Sequence, residues 1–501
     1  MRSTQRNLLP SILVVAGLGA ALLAPAAPAS GAASTARTPG PVLKLEAAQS
    51  KITLDSFSGK VYPDAGIWLA AQGSPLQFDL RRAPYTSPIT ISQIIHPPFG
   101  GTIRRPLPSR LLDGWNGLRG FLTLTIRNSA GQVVKSEPVA LCPNAYQPAR
   151  VGPGAPQTSP YPPQCLSNPF VKGMVWGILK DWAIDPMDTD FRLGQIKLTL
   201  GRYRMTETVA PQYQKLFHIS ARDATATVQV KVVKGHRCCP VGGCCAPGPA
   251  ARAHQTPPQP PASAVPYTTH PPRSALPDLV PLPAWKITVS HPSHQTHDYL
   301  NFAATVWVGG NSPLDVEGFR SHSSPVMPAY QYFWRNGHVI GRARAGTMGF
   351  DSKKGHDHWH FEQFARYTLL NKTKSVAVTS HKAGFCIAPS DEVDLLLPHA
   401  VWSPPQVGLQ GECGSPTALW VAEEMPVGWG DTYIQSIAGQ SFDITHVPNG
   451  TYYVEVTANP ERVLYETSTR NDVSLRKVIL GGTPGHRTVK VPAWKGIDPE
   501  R

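Results

Sequence analysis

The chain has 501 residues, with 47 Lys and Arg against 33 Asp and Glu, eight Cys, 52 Pro and 43 Gly. That length predicts two or three domains, and 41% hydrophobic with 16% charged residues excludes both a chain disordered throughout and a coiled coil. The one apolar stretch near membrane-spanning length sits at the N-terminus, so a multi-pass membrane protein is excluded, and the Pro and Gly content favours turns and short strands over long helices.

The net charge of +14 is unevenly placed. Residues 1–275 carry 28 basic and 12 acidic side chains, whereas residues 276–501 carry 19 and 21. A basic first part beside a near-neutral second part points to attachment to an anionic cell-surface polymer, with chemistry elsewhere. The plain alternative is a solvated basic face that keeps a secreted protein soluble. No nucleic-acid-binding motif occurs, so nucleic acid is not an expected partner.

Residues 1–34 read as a secretory signal: Arg2 and Arg6 open it, residues 8–23 are apolar, and Ala27-Pro28-Ala29 offers a small-x-small cleavage site. An uncleaved anchor is the alternative, although Pro10 interrupts the run. Either way the bulk of the protein is expected to be secreted or extracellular, associated with the cell envelope in the anchored case, where disulfides persist and copper is accessible. Residues 45–234 read as strands and turns. Gly120-Phe-Leu-Thr-Leu-Thr-Ile126 alternates, a Ser129-Ala-Gly131 turn follows, and residues 196–200 and 227–233 repeat the pattern. A β-sandwich fits this stretch, with Cys142 and Cys165 flanking a Pro-rich loop and expected to be bridged.

Residues 235–275 form a linker with ten Pro in 41 positions. Its Cys238-Cys239 and Cys244-Cys245 pairs suit local disulfides or a soft metal. Residues 276–501 return to short strands. Residues 301–308 are strand-like, and 332–340 form a hairpin signal around Asn336-Gly337, which supplies the positive-φ turn. The expected fold is all-β: two β-sandwich-like domains joined by the Pro-rich linker, the second with long loops.

The strongest chemical signal is Gly355-His356-Asp357-His358-Trp359-His360. On an extended chain, side chains two apart share a face about 7 Å apart, so three imidazoles line one side of a strand and can hold a transition metal. With 17 His in the chain, chance gives roughly 0.02 such triplets. Imidazole suits copper, zinc, iron and nickel, with copper(II) favoured by intrinsic affinity. The alternative is a row of surface histidines on an edge strand. His291, His294 and His297 form a looser group that reads as solvated loop residues, because Pro292 opposes a helix.

From Leu276 to about residue 480 the sequence resembles the lysyl oxidase family. Leu276-Pro-Asp-Leu-Val-Pro281 resembles the start of its catalytic domain, and the histidine row followed by Phe364-Ala-Arg-Tyr-Thr-Leu369 resembles its copper strand. His381-Lys-Ala-Gly-Phe-Cys386 is similar to the segment that contributes the cofactor lysine. Gly430-Asp-Thr-Tyr433, followed by Phe442-Asp-Ile-Thr-His-Val447, is similar to the segment carrying the cofactor tyrosine. Pro448-Asn-Gly-Thr-Tyr-Tyr-Val454 and Asn459-Pro-Glu-Arg-Val-Leu-Tyr-Glu466 match the closing strands in order.

This resemblance implies a secreted copper-dependent amine oxidase that turns primary or lysine-like amines into aldehydes, consuming dioxygen and releasing hydrogen peroxide and ammonia. It implies copper on His356, His358 and His360, and the quinone cofactor lysine tyrosylquinone formed from Lys382 and Tyr433. Asp431 is the candidate base by closeness to Tyr433, and Glu362, two steps beyond His360, is the alternative. The family's animal members carry a Trp, a further His and a Cys before the first ligand, where this chain has Phe350-Asp-Ser-Lys-Lys-Gly355. Their dense disulfide set is reduced here to Cys386 and Cys413, expected to be bridged. Two other readings remain open. One is a non-catalytic immunoglobulin-like adhesion or metal-binding module; the other is a zinc hydrolase, for which no glutamate sits in a suitable helical motif. Only the oxidase requires Lys382 and Tyr433.

Overall fold

Alternation in the sequence becomes alternation in burial. In the strand Gly201–Val209 the inward positions are Tyr203, Met205, Glu207 and Val209, while the residues between them face out or are half-buried. The computed structural model describes residues 40–500, apart from 146, 166–167, 188–193, 236–264, 293–296, 322–323, 353–357 and 405–412. The signal segment, the four linker cysteines, His294 and His356 lie outside the described residues. The all-β expectation holds: among the described residues the one α-helix is Pro211–Phe217, and no helix is long and apolar enough to cross a membrane.

Among the described residues, the first part of the chain holds three larger sheets rather than the two of a simple sandwich. One five-stranded sheet runs Lys51–Ser56, Thr225–Lys234, Gly201–Val209, Leu118–Asn128 and Val133–Leu141. Its first pair is parallel and joins segments far apart in sequence. Two four-stranded sheets complete this part, one built on Ile67–Gln72 and the other on Leu76–Arg81. The expected strand at 196–200 is only Ile196–Lys197. Cys142 and Cys165 are bridged.

The described residues of the second part also form three sheets. A six-stranded sheet is centred on Tyr299–Gly310, which pairs with Trp429–Tyr433, and that strand in turn pairs with Asp391–Glu392. A five-stranded sheet runs His358–Phe361, His338–Asp351, Val326–Arg335, Leu314–Phe319 and Trp420–Met425. The third contains Ala365–Leu370 and Gly450–Ala458. The expected hairpin is present: Asn336 and Gly337 have φ of 52° and 77°, the left-handed pair that a two-residue turn demands. Pro39–Arg501 forms one compact unit, and Phe170 of the first part is buried among Leu282, Trp285, Trp307 and Val393 of the second.

Candidate active site and metal centre

Among the described residues, His358–Phe361 is an edge strand laddered with the end of His338–Asp351, with Asp351 opposite His358 and Gly349 opposite His360. Period two puts His358 and His360 on one face, and both are buried. Their Nε2 atoms lie 2.9 Å apart, so in neutral rings one Nε2–H donates to the other. Two nitrogens bound to a single ion at about 2.0–2.1 Å and at right angles would have about this separation, so the donor chemistry fits a transition metal. Asp351 Oδ2 is 3.9 Å from His360 Nδ1, near the ring but beyond hydrogen-bond reach. His356 falls outside the described residues, and among these no group of three or more His, Cys, Asp or Glu side chains could hold a metal ion.

The lysine loop is fastened to this strand. Phe361 N–H donates to the Phe385 carbonyl at 2.7 Å, and Phe385 N–H donates back at 3.0 Å. On the other side Trp359 N–H donates to the Cys413 carbonyl, and the Cys386–Cys413 disulfide ties the two flanking loops together. Gly384 permits the approach: a Cβ there would lie 2.7 Å from His360 Cβ. Lys382 is buried. Its N–H donates to Ser380 Oγ, whose hydroxyl donates to the Gly439 carbonyl.

Tyr433 closes the strand Trp429–Tyr433, paired with Ala304. Its hydroxyl donates to the Cys386 carbonyl at 3.0 Å and accepts from the Cys386 N–H at 2.7 Å. Phe385 packs edge-on against its ring. The Lys382 Nζ stands 4.4 Å from the centroid of the Tyr433 ring. Burial, then the charges of Asp431, Glu423 and Tyr367, pushes the Tyr433 phenol well above its ordinary range, while the Cys386 amide pulls it back. The phenol is therefore neutral until something lends it a positive charge.

Lys382 and His360 also share a pocket of about 190 Å³, lined further by Asp351, His381, Gly384 and Gly439. Of the two candidate bases, Asp431 is buried and two residues from Tyr433 on the same strand face. Glu362 is not among the residues that line this pocket. The strand ends at Phe361, the chain turns, and Glu362 is exposed, accepting a bond from Thr347 Oγ1. Sequence reasoning missed Asp351 and His381 as members of the site. Asp351 could be found only by knowing that it pairs across from His358, whereas His381 was visible as the neighbour of Lys382.

Residues 331–486 match the family model for lysyl oxidase. The chain carries a lysyl oxidase family domain. Lysyl oxidase homolog 2 of Gallus gallus is 31% identical over 140 residues, which is 28% of this chain and 16% of that protein. Lysyl oxidase homolog 4 of Bos taurus is 30% identical over 141 residues, 27% of this chain and 17% of that protein. The chain therefore spans about a sixth of the length of the curated relatives it matches. The matched lysyl oxidase segment contains the histidine strand, Lys382 and Tyr433, but neither Tyr299–Gly310 nor any of the first three sheets.

Proposed function

We propose that the protein is a secreted copper-dependent amine oxidase that converts primary, lysine-like amines to aldehydes, with dioxygen as oxidant and hydrogen peroxide and ammonia as products. The observation that carries this reading is the position of Lys382 Nζ, 4.4 Å from the Tyr433 ring centroid and in one pocket with His360. His358 and His360, with His356, would hold copper; Lys382 and Tyr433 would form lysine tyrosylquinone. When present, this pair supplies an electrophilic carbonyl for a primary amine and a redox partner for dioxygen.

The chain's own residues supply the rest. The pocket is smaller than the usual site for a drug-sized ligand, which suits a slender aliphatic amine. Asp351 at its wall attracts the cationic substrate. Lys382 needs only side-chain movement to bring Nζ to a ring carbon of Tyr433. Asp431, buried beside that ring, would take up the α-proton of the substrate at its carboxylate. The basic first part is assigned to an anionic cell-surface polymer, which salt should release.

Peptide mapping of copper-loaded, aerobically grown protein tests the reading. A joined Lys382–Tyr433 peptide and visible quinone absorbance are expected. Tyr433→Phe should abolish both, together with peroxide production, while copper stoichiometry stays near the parent value. Separate peptides in a colourless, copper-loaded protein would leave a metal-binding β-protein in its place.

A further inference from the structure

The site has a back as well as a front, and the back is supplied by the first part of the chain. We propose that its residues 168–173 are a positioning element for the strand Trp429–Tyr433, with Asn168 as the positioning residue. The consequence for cofactor formation rests on the amine-oxidase reading; the mechanical claim does not.

The described residues 164–165 and 168–173 are both tethered within the first part. The Cys142–Cys165 disulfide anchors the former, and Asn144 Nδ2 donates to the Gln164 carbonyl at 2.8 Å. Arg82 Nη2 donates to the carbonyls of Pro169 and Val171 at 2.6 and 2.7 Å, and Tyr85 hydroxyl donates to that of Phe170 at 2.9 Å. Residues 168–173 then meet the second part with backbone bonds, Lys172 N–H to the Val393 carbonyl and Leu395 N–H to the Gly173 carbonyl. Gly173 lets the Asp394 carboxylate lie close: a Cβ there would be 2.1 Å from Asp394 Oδ1.

From this platform Asn168, fully buried, starts a chain of hydrogen bonds. Its Nδ2 donates to Thr305 Oγ1 at 2.8 Å, and Thr305 and Thr432 hydroxyls share a bond of 2.6 Å. Thr432 is held again through its backbone, its N–H donating to Ser390 Oγ at 2.7 Å. Hydrogen bonds linked in this way strengthen one another in a low-dielectric interior. Thr432 lies between Asp431 and Tyr433 and faces the opposite side of the sheet from both. Tyr433 is the last residue of its strand, where ladders fray, and the chain pins the position next to it. Moving Thr432 moves the proposed base and the proposed cofactor ring together.

The test compares Asn168→Ala, Thr432→Val and Thr432→Ser in the full chain. Asn168→Ala and Thr432→Val should each slow formation of the Lys382–Tyr433 link about tenfold, and the double variant should be no slower than the slower single one. Copper stoichiometry should not change. Thr432→Ser keeps the hydroxyl and should restore the rate, which a purely steric role at that position would not explain. Link formation at the parent rate in both Asn168→Ala and Thr432→Val overturns the proposal. If the parent itself forms no link, the oxidase reading has failed and amide hydrogen exchange over 429–433 decides alone. Faster exchange there in Asn168→Ala supports the positioning role, and unchanged exchange removes it.

Discussion

Tyr433 and Lys382 sit side by side yet are held in different ways. Tyr433 lies in a ladder with Ala304 opposite, its carbonyl accepts from Gln440 Nε2, and its hydroxyl is bonded twice to the Cys386 backbone. Lys382 lies in a loop whose backbone is gripped by Ser380, with four methylenes between that grip and Nζ. One partner is fixed and the other has reach. That division suits a reaction joining an amine to a ring, since a rigid ring defines the geometry and a flexible arm crosses the gap.

The severest way to break this contrast is to untie the loop. Replacing Cys386 and Cys413 with Ser should cost about 3.5 kcal/mol for a closed loop of this size, read as a fall in the denaturant midpoint under oxidising conditions. The sequence separation is 27, against 23 for Cys142–Cys165. Loop entropy alone therefore makes the two bridges equally valuable, and their local effects should tell them apart. Loss of the first should speed chemical modification of Lys382 more than it alters the near-ultraviolet signal of Tyr433. Equal changes in both would mean that ring and loop move as one body through Cys386.

A smaller perturbation sharpens the contrast at the loop's closest approach. Gly384→Ala places a methyl against His360 Cβ, inside any tolerable contact. The loop or the histidine strand must shift, at about 1–3 kcal/mol. Weaker copper binding with a near-normal Tyr433 environment is the expected result. A titration calorimeter showing parent affinity would mean that the loop, not the strand, gives way.

Much of the β-architecture was legible beforehand because alternation and Asn-Gly turns are local signals. Residues 332–340 announced a hairpin and became one. Asp431 and Tyr433 share a strand face because period two held to the strand's end. The same period carries past the strand's end to Glu362, which lies across from Thr347 on the side of His360, but its position there is open to solvent. The nearness of Lys382 to Tyr433 was suggested by family resemblance rather than by pattern. It depends on the Phe361–Phe385 bridge and the Cys386 contacts, pairings between segments far apart that no local rule encodes. The docking of residues 168–173 was invisible for the same reason: Asn168, an ordinary polar residue in a Pro-rich stretch, acquires its role from Thr305, 137 positions away.

The mildest probe is alkaline pH on the metal-free protein. Burial is the largest cause raising the phenols of Tyr433 and Tyr367, and Asp431 adds to both. A phenol with a raised folded pKa keeps its proton in the native state while the unfolded chain releases it above about pH 10. The native state then binds more protons, so stability falls as pH rises through that point and is unaffected well below it. Each such tyrosine steepens the fall by about 1.4 kcal/mol per pH unit. Tyr433→Phe should therefore flatten the slope above pH 10 by about that amount, even though it lowers stability at neutral pH by leaving the Cys386 N–H and carbonyl unpaired. Chemical denaturation at pH 8, 10 and 11 separates the two effects. A parallel decline in parent and variant would mean that the phenol ionises freely in the folded protein, and the ring would then be less firmly enclosed than the lysine beside it.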